Sequence, residues 1–272
     1  MNSKKMNEEG NVILTSVLLI LLCVCIIIAV VFFKNNNNPI NGGELISGDD
    51  NHEIEQNEHD PVRVEAYKTA LRKMISDKKL IDDEQLYEDE VFKISDNKFA
   101  VSDVDSDGKE ELLVSIGSAP TAGMVAVLYD YNEASGEVVK EFSSYVDSTF
   151  YDNGILKVSA SHNQGLAGDS LWPYSLYRYN KQSDTYDLIA YVDAWNKNIS
   201  KKDSNGNSFP EEIDTDKVGV VYYIMENGYD LESAKIVNKS DYDAWEKSYL
   251  NGANKIELAY YDLTEEYIND FN

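Results

Sequence analysis

The spacing of apolar residues predicts a helix near residue 62. Apolar side chains recur there at intervals of three and four, while charged residues occupy the other positions. The apolar residues are Val64, Tyr67, Leu71, Met74 and Ile75. This spacing predicts an amphipathic helix over about 62–78, and Pro61 stands at its start, where proline is well tolerated.

From residue 98 onward the pattern changes to short apolar and aromatic runs separated by turn residues. Such runs are typical of strands, and Asn153-Gly154 and Asn227-Gly228 suit hairpin turns between them. The predicted strands are Phe99–Val104, Leu112–Ile116, Met124–Tyr131, Ile155–Ser159, Ser175–Tyr179, Tyr186–Val192 and Val218–Ile224.

Near the C-terminus the pattern becomes helical again. Ser240 followed by Asp243 resembles a capping box that opens a helix over Tyr242–Leu250, and Gly252 follows as a stop. Thr264 is a candidate cap for a last short helix. The order helix, antiparallel strands, helices predicts an α+β fold: an antiparallel β-rich domain over residues 62–272 with an N-terminal helix and C-terminal helices.

A separate apolar run precedes this domain. Val12–Phe33 contains 22 residues without a charge, and a helix of that length spans about 33 Å, enough to cross a bilayer. No small-residue cleavage site follows the run. Cys23 and Cys25 lack the preceding small residue of a lipoprotein signal. We therefore predict one uncleaved transmembrane helix over 12–33, in contact with the lipid bilayer.

The flanks of this run set the predicted topology. Lys4 and Lys5 precede it and only Lys34 follows closely, which favours a short cytoplasmic tail over residues 1–11 and an extracellular C-terminal domain at the cell membrane. Residues 34–61 are rich in Asn, Gly and Asp, and too poor in large apolar residues to fold, so they are predicted to form a disordered tether. Two histidines of the tether are interpreted as solvated residues and not as metal ligands.

Charge and cysteine content narrow the range of partners. The chain has 24 Lys and Arg against 49 Asp and Glu, a net charge of −25. This negative charge argues against nucleic acid as a partner and against binding to anionic lipid. A protein or a cell-wall component is compatible with it, and the charge does not identify which. Both cysteines lie inside the predicted span, and a domain without disulfides suits a Gram-positive surface.

The most specific chemical signal is an acidic stretch between the first two predicted strands. Carboxylates alternate along it, a glycine follows the third, and a fourth carboxylate precedes the second strand. The four carboxylates belong to Asp103, Asp105, Asp107 and Glu111. A tightly turning loop with alternating oxygen ligands suits a hard cation such as calcium. Asp and Gly also favour a simple polar turn, which is the alternative interpretation.

An EF-hand does not explain this loop. Counted from Asp103, position 12 should be a bidentate glutamate but is Val114, and the flanking segments are predicted strands and not helices. The loop instead resembles the integrin-type FG-GAP repeat, a calcium loop of pattern D-x-D-x-D-G-x-x-D-L between antiparallel strands. The resemblance implies as ligands Asp103, Asp105, Asp107, the backbone carbonyl of Lys109, and Glu111.

The chain departs from the FG-GAP family in two ways. Glu111 replaces the usual aspartate, which moves the carboxylate by one methylene group. Only one clear copy is present, so a propeller is not expected. The stretches Lys98–Val114, Asp241–Leu250 and Leu263–Glu266 also resemble uncharacterised membrane-anchored surface proteins of Firmicutes. That resemblance covers residues 62–268 and implies no known activity.

A fainter acidic pattern occurs at Asp203, Asn205 and Asn207, where an ordinary loop and a second metal site both remain open. Catalysis is not indicated. His162 is the one histidine of the folded part, no nucleophile elbow surrounds a serine, and no Walker loop or zinc-type spacing occurs. The predicted function is a single-pass, membrane-anchored extracellular domain of unknown role that binds a structural calcium ion. A cell-surface hydrolase is one alternative, and a pilin-like assembly subunit cut after Gly10 is another.

Overall fold

The structure is a computed structural model that describes residues 60–163, 165–203, 205–226 and 228–271. The predicted cytoplasmic tail, the predicted transmembrane helix 12–33, the cut after Gly10 and nearly all of the predicted tether lie outside the described residues. Among the residues that are described, no helix is long and apolar enough to span a membrane.

The described part is an antiparallel β-rich domain with three α-helices, which confirms the predicted α+β class. The helices are α1 (Pro61–Asp77), α2 (Lys239–Leu250) and α3 (Glu265–Asp270). The strands are β1 (Lys98–Ser102), β2 (Glu111–Ile116), β3 (Val125–Asn132), β4 (Glu137–Ser144), β5 (Ser148–Phe150), β6 (Ile155–Ser159), β7 (Tyr174–Asn180), β8 (Thr185–Asn196), β9 (Val220–Met225), β10 (Lys235–Val237) and β11 (Tyr261–Asp262).

The strands form two antiparallel sheets. The first sheet has the order β11-β1-β2-β3-β4, and the second has the order β10-β9-β8-β7-β6-β5. Most neighbours in each sheet are consecutive in the chain, so hairpins build most of the pairing. The exception is β11, which returns from the C-terminus to pair with β1 through Lys98 and Phe99.

Three apolar clusters stack these elements in layers. Helices α1 and α3 cover one face of the first sheet through residues such as Tyr67, Leu71, Phe99, Leu112 and Ile268. The two sheets meet through Leu113, Leu128, Phe142, Leu156, Val158 and Tyr186. Helix α2 covers the outer face of the second sheet through Tyr242, which stacks on Tyr222 with a centroid separation of 4.2 Å.

The helix ends follow ordinary capping chemistry. Asp60 caps α1 by accepting a hydrogen bond from the Val62 amide at 2.9 Å, and Pro61 occupies the first helical position. The capping-box prediction at Ser240 is wrong. Helix α2 begins at Lys239, and the Asn238 side chain accepts from the Asp241 amide at 2.8 Å. Asparagine is as good an N-cap as serine. Because Asn238 takes this role, the helix begins three residues before the predicted start at Tyr242. Thr264 caps α3 as predicted.

Candidate metal centre

The loop between β1 and β2 folds around its own carboxylates. The Asp103 carboxylate accepts hydrogen bonds from the Ser106 amide at 2.7 Å and the Gly108 amide at 3.0 Å. The Asp107 amide donates to Asp105 Oδ1 at 2.8 Å. Ser106 and Gly108 both have positive φ angles, 66° and 93°, and these angles allow the backbone to turn tightly around Asp103.

Two carboxylates of this hairpin are buried. Asp105 is 3% exposed and Glu111 is 2% exposed. Glu111 is the first residue of β2, and its carboxylate reaches back across the loop to accept a hydrogen bond from the Val104 amide at 2.9 Å. Strand β2 thus directs the Glu111 carboxylate into the interior, next to the buried Asp105 of the loop.

The structure brings together three of the five predicted ligands. Asp103, Asp105 and Glu111 each offer a carboxylate oxygen, and the three atoms lie within 4.8 Å of one another. The Asp107 carboxylate lies outside this group, and the fifth predicted ligand is the backbone carbonyl of Lys109, not a carboxylate. Asp107 is exposed and accepts from the Lys109 amide at 2.8 Å, and the Lys109 ammonium pairs with Glu133 at 2.9 Å.

Two further carboxylates, which the sequence did not indicate, join Asp105. Glu141 of β4 and Asp184 of the β7–β8 turn each place an oxygen within 4.8 Å of Asp105 and of each other. Asp105 therefore belongs to both groups. Neither residue lies in a recognisable motif, and Asp184 reaches the site only because the second sheet packs on the first.

The buried carboxylates have strongly altered pKa values. Burial, together with the negative charge of Asp105, raises the pKa of Glu111 to about 10. Burial and the charges of Asp105 and Asp184 raise the pKa of Glu141 to about 9. Burial raises the pKa of Asp105 to about 6. Each shift reports that the negative form is disfavoured where these groups converge.

The site gathers carboxyl groups without a cationic partner among the described residues. Within the described residues no Lys or Arg forms an ion pair with any of the five clustered carboxylates, although ion pairs occur elsewhere in the domain. The five are Asp103, Asp105, Glu111, Glu141 and Asp184. Oxygen-only ligands suit hard cations and not zinc, which prefers nitrogen and sulfur. These acidic groups could hold a metal ion, and the buried, mutually repelling carboxylates fit that role.

Hydrogen bonds attach the acidic loop to the second sheet. Ser106 Oγ donates to the Asp152 carbonyl at 3.0 Å, and the Tyr186 hydroxyl donates to the Val104 carbonyl at 3.2 Å. Asp152 lies in the β5–β6 turn, and Tyr186 lies on β8. The site is consequently positioned by both sheets, and not by the β1–β2 hairpin alone.

Two other residues that the sequence singled out, His162 and Asp203, lie outside the groups of converging carboxylates. His162 is exposed, its Nδ1 lies 3.0 Å from the neighbouring Ser161 Oγ, and no carboxylate in the described part of the chain hydrogen-bonds to its ring. Asp203 is already used by its own loop, since it accepts from the amides of Asn205 and Asn207 and from the Asn207 side chain. In the described residues Asp203 belongs to neither group of converging carboxylates, and this distinguishes its loop from the β1–β2 loop.

The chain matches no protein-family model, no curated protein and no solved structure. The resemblances to the FG-GAP repeat and to Firmicutes surface proteins therefore stay predictions. Function has to be inferred from the chemistry of the acidic site.

Proposed function

We propose that the domain binds a calcium ion in the β1–β2 loop and that the ion stabilises the fold. Asp103, Asp105 and Glu111 supply the central ligands, and Asp107 and the Lys109 carbonyl complete the shell. One observation carries the proposal: three carboxylate oxygens lie within 4.8 Å, and none of the three groups has a Lys or Arg ion-pair partner in the described residues. A divalent cation removes the repulsion that this arrangement creates.

The donor set favours calcium over other hard cations. Calcium accepts six to eight oxygen ligands in irregular geometry, whereas magnesium requires a near-ideal octahedron and retains water. Carboxylates presented by an irregular loop and by a strand end match the first requirement. The loop's resemblance to the FG-GAP pattern supports the same choice.

In this proposal the calcium-binding domain is an extracellular domain held at a Gram-positive cell surface. The uncharged run 12–33, the polar tether 34–61 and the acidic composition support that location. Protease added to intact cells should remove the domain and leave a membrane-embedded N-terminal fragment. Complete protection of the domain would contradict the assigned orientation.

The calcium proposal is tested by thermal unfolding of the purified full chain, followed by circular dichroism. At a calcium concentration of 100 times the Kd, binding adds about 2.7 kcal/mol. For a domain of this size that energy corresponds to a rise in Tm of roughly 5–10 °C relative to chelator. Asp103→Asn should remove most of this rise, because it removes a ligand charge while keeping an oxygen acceptor for one of the two loop amides.

Asp203→Asn is the matched control. Asp203 also accepts hydrogen bonds from amides of its own loop, but no other carboxylate belongs to its group. The calcium-induced rise should survive this substitution. Equal losses in the Asp103 and Asp203 variants, or no rise in the unmodified chain, would contradict the loop as a calcium site.

A further inference from the structure

A β-bulge in β4 controls the direction of Glu141. Leu128 of β3 pairs with Phe142, and the next residue, Tyr129, pairs with Lys140, so Glu141 is an extra residue opposite neither. Lys140 pairs with Asp82, beyond the end of α1, at 2.8 Å, whereas Phe142 packs between the sheets. A bulge redirects a side chain that regular alternation would place elsewhere, and here it brings Glu141 to the junction of the two sheets.

The Glu141 carboxylate has no partner in this position. Both of its oxygen atoms expose less than 1 Å² and accept no hydrogen bond from any described residue. The other buried carboxylates of the domain differ, since Glu111 accepts from the Val104 amide and Asp214 accepts from the Gly219 amide. Leaving a buried carboxylate unsatisfied costs several kcal/mol. A bound cation would provide the missing partner.

The second sheet completes a set of ligands around this carboxylate. Asp184 has a left-handed backbone conformation with φ 50°, and the Tyr179 hydroxyl donates to its Oδ1 at 2.7 Å. The next residue, Thr185, donates from Oγ1 to the Glu141 carbonyl at 2.8 Å, which fastens the turn to β4. The oxygens of Asp105, Glu141 and Asp184 lie within 4.8 Å of one another. Calcium–oxygen bonds of about 2.4 Å place opposite ligands roughly 4.8 Å apart.

The arrangement of the carboxyl groups points to more than one ion. They form two groups of three, Asp103 with Asp105 and Glu111, and Asp105 with Glu141 and Asp184. None of the five has an ion pair to Lys or Arg in the described residues. Asp105 belongs to both groups, so two neighbouring ions would share this residue.

We propose that Asp105, Glu141 and Asp184 form a second divalent-cation site, which shares Asp105 with the loop site and joins the first sheet to the second. Its ligands come from the β1–β2 loop, the bulge of β4 and the β7–β8 turn. The site depends on Glu141 and Asp184, and it does not require that the loop position be filled.

The experiment measures the number of calcium ions bound by the full chain after removal of metal, using calcium alone as the probe and equilibrium dialysis as the readout. The unmodified chain should bind two ions. Glu141→Gln should lose one of them, and Asp184→Asn should weaken or lose the same one. Glu137→Gln, an exposed substitution on the same strand, should retain both. Near-UV circular dichroism verifies that each variant is folded.

The variants separate this proposal from the loop calcium site. If only the second site exists, the chain binds one ion, which Glu141→Gln removes and Asp103→Asn retains. If only the loop site exists, the chain binds one ion, which Asp103→Asn removes and Glu141→Gln retains. That result would overturn the second site. Unchanged stoichiometry and affinity in folded Glu141→Gln would overturn it as well. Asp105→Asn should remove both ions, because both sites use that carboxylate.

Discussion

Glu246 and Glu141 both lie against the sheets, but only Glu246 has hydrogen-bond partners for its carboxylate among the described residues. Glu246 of α2 accepts hydrogen bonds from Lys157 Nζ at 2.8 Å, from the Tyr242 hydroxyl at 3.0 Å and from the Tyr174 hydroxyl at 3.1 Å. The Glu141 oxygens accept none from the described residues. Glu246 has a lysine of the same domain as its cation, whereas the charged groups that converge on Glu141 are the carboxylates of Asp105 and Asp184.

The pKa values express the same contrast. Burial acts to raise the pKa of Glu246, but the hydrogen bond and charge of Lys157, with the two tyrosine hydroxyls, outweigh burial and leave the pKa below its ordinary value. For Glu141, burial and neighbouring carboxylates act in the same direction and raise the pKa to about 9. The completed ion pair of Glu246 satisfies its charge within the domain, whereas the carboxyl groups around Glu141 could hold a metal ion.

The largest effect on stability is expected when the ion pair between Lys157 and Glu246 is removed. Glu246→Gln leaves the Lys157 ammonium without its counter-charge and weakens two tyrosine hydrogen bonds, so it should destabilise the domain by about 1–2 kcal/mol. That corresponds to a fall in Tm of roughly 3–6 °C. The fall, measured by circular dichroism, should be equal with calcium and with chelator, because the pair is complete without metal.

Asp243→Asn provides the control for this prediction. Asp243 lies on the same helix and pairs with Lys239 at 2.7 Å, but both side chains are about half exposed, at 52% and 44%. Exposed pairs contribute less than about 1 kcal/mol. A fall as large as that of Glu246→Gln would show that the helix, and not the Lys157 contact, is what the substitution disturbs.

A smaller effect, which depends on calcium, is expected at Glu141. In chelator, burial and the neighbouring carboxylates raise the pKa of Glu141 to about 9, so the group is largely protonated near pH 7. Glu141→Gln then replaces one neutral group by another, and the Tm should be nearly unchanged. In calcium the same variant loses a ligand, and its Tm should fall below that of the unmodified chain. The measurement is the same pair of melting curves for both proteins.

Glu137→Gln on the same strand should change the Tm in neither condition, because Glu137 is exposed. A change of the same sign with calcium and with chelator would remove the contrast between Glu141 and Glu246. It would assign Glu141 a purely structural role.

The sequence predicted the carboxylates of the β1–β2 loop but not the two that join them from β4 and from the β7–β8 turn. Asp103, Asp105 and Glu111 lie within nine residues of one another, so local alternation and one hairpin are enough to place them together. Glu141 depends on the pairing of β2, β3 and β4 within the first sheet, and Asp184 depends on packing between the sheets. Neither arrangement has a signature in local periodicity. The bulge that redirects Glu141 breaks the alternation that a strand pattern would need.

Four strands, β4, β5, β10 and β11, were not predicted from the sequence, and the reason is again physical. Glu137–Ser144 carries three charged residues and lies at the edge of the first sheet, where solvent covers much of it. Ser148–Phe150, Lys235–Val237 and Tyr261–Asp262 are only two or three residues long. The predicted strands that were found are those with a continuous buried run, such as Glu111–Ile116. Apolar periodicity therefore locates central strands well and edge strands poorly.

The smallest effect uses pH to distinguish Glu246, whose pKa is lowered, from the buried carboxyl groups around Asp105, whose pKa values are raised. A carboxylate with a lowered folded-state pKa contributes stability above its unfolded pKa, about 4.5 for glutamate, and this contribution is lost as the pH falls through the folded value. The difference in Tm between the unmodified chain and Glu246→Gln should therefore be constant from about pH 6 to 7.5 and shrink below about pH 4.5. Taking the difference cancels the titration of the other carboxylates. A difference that grows as the pH falls would mean that Lys157 and the tyrosines do not stabilise the charged form of Glu246.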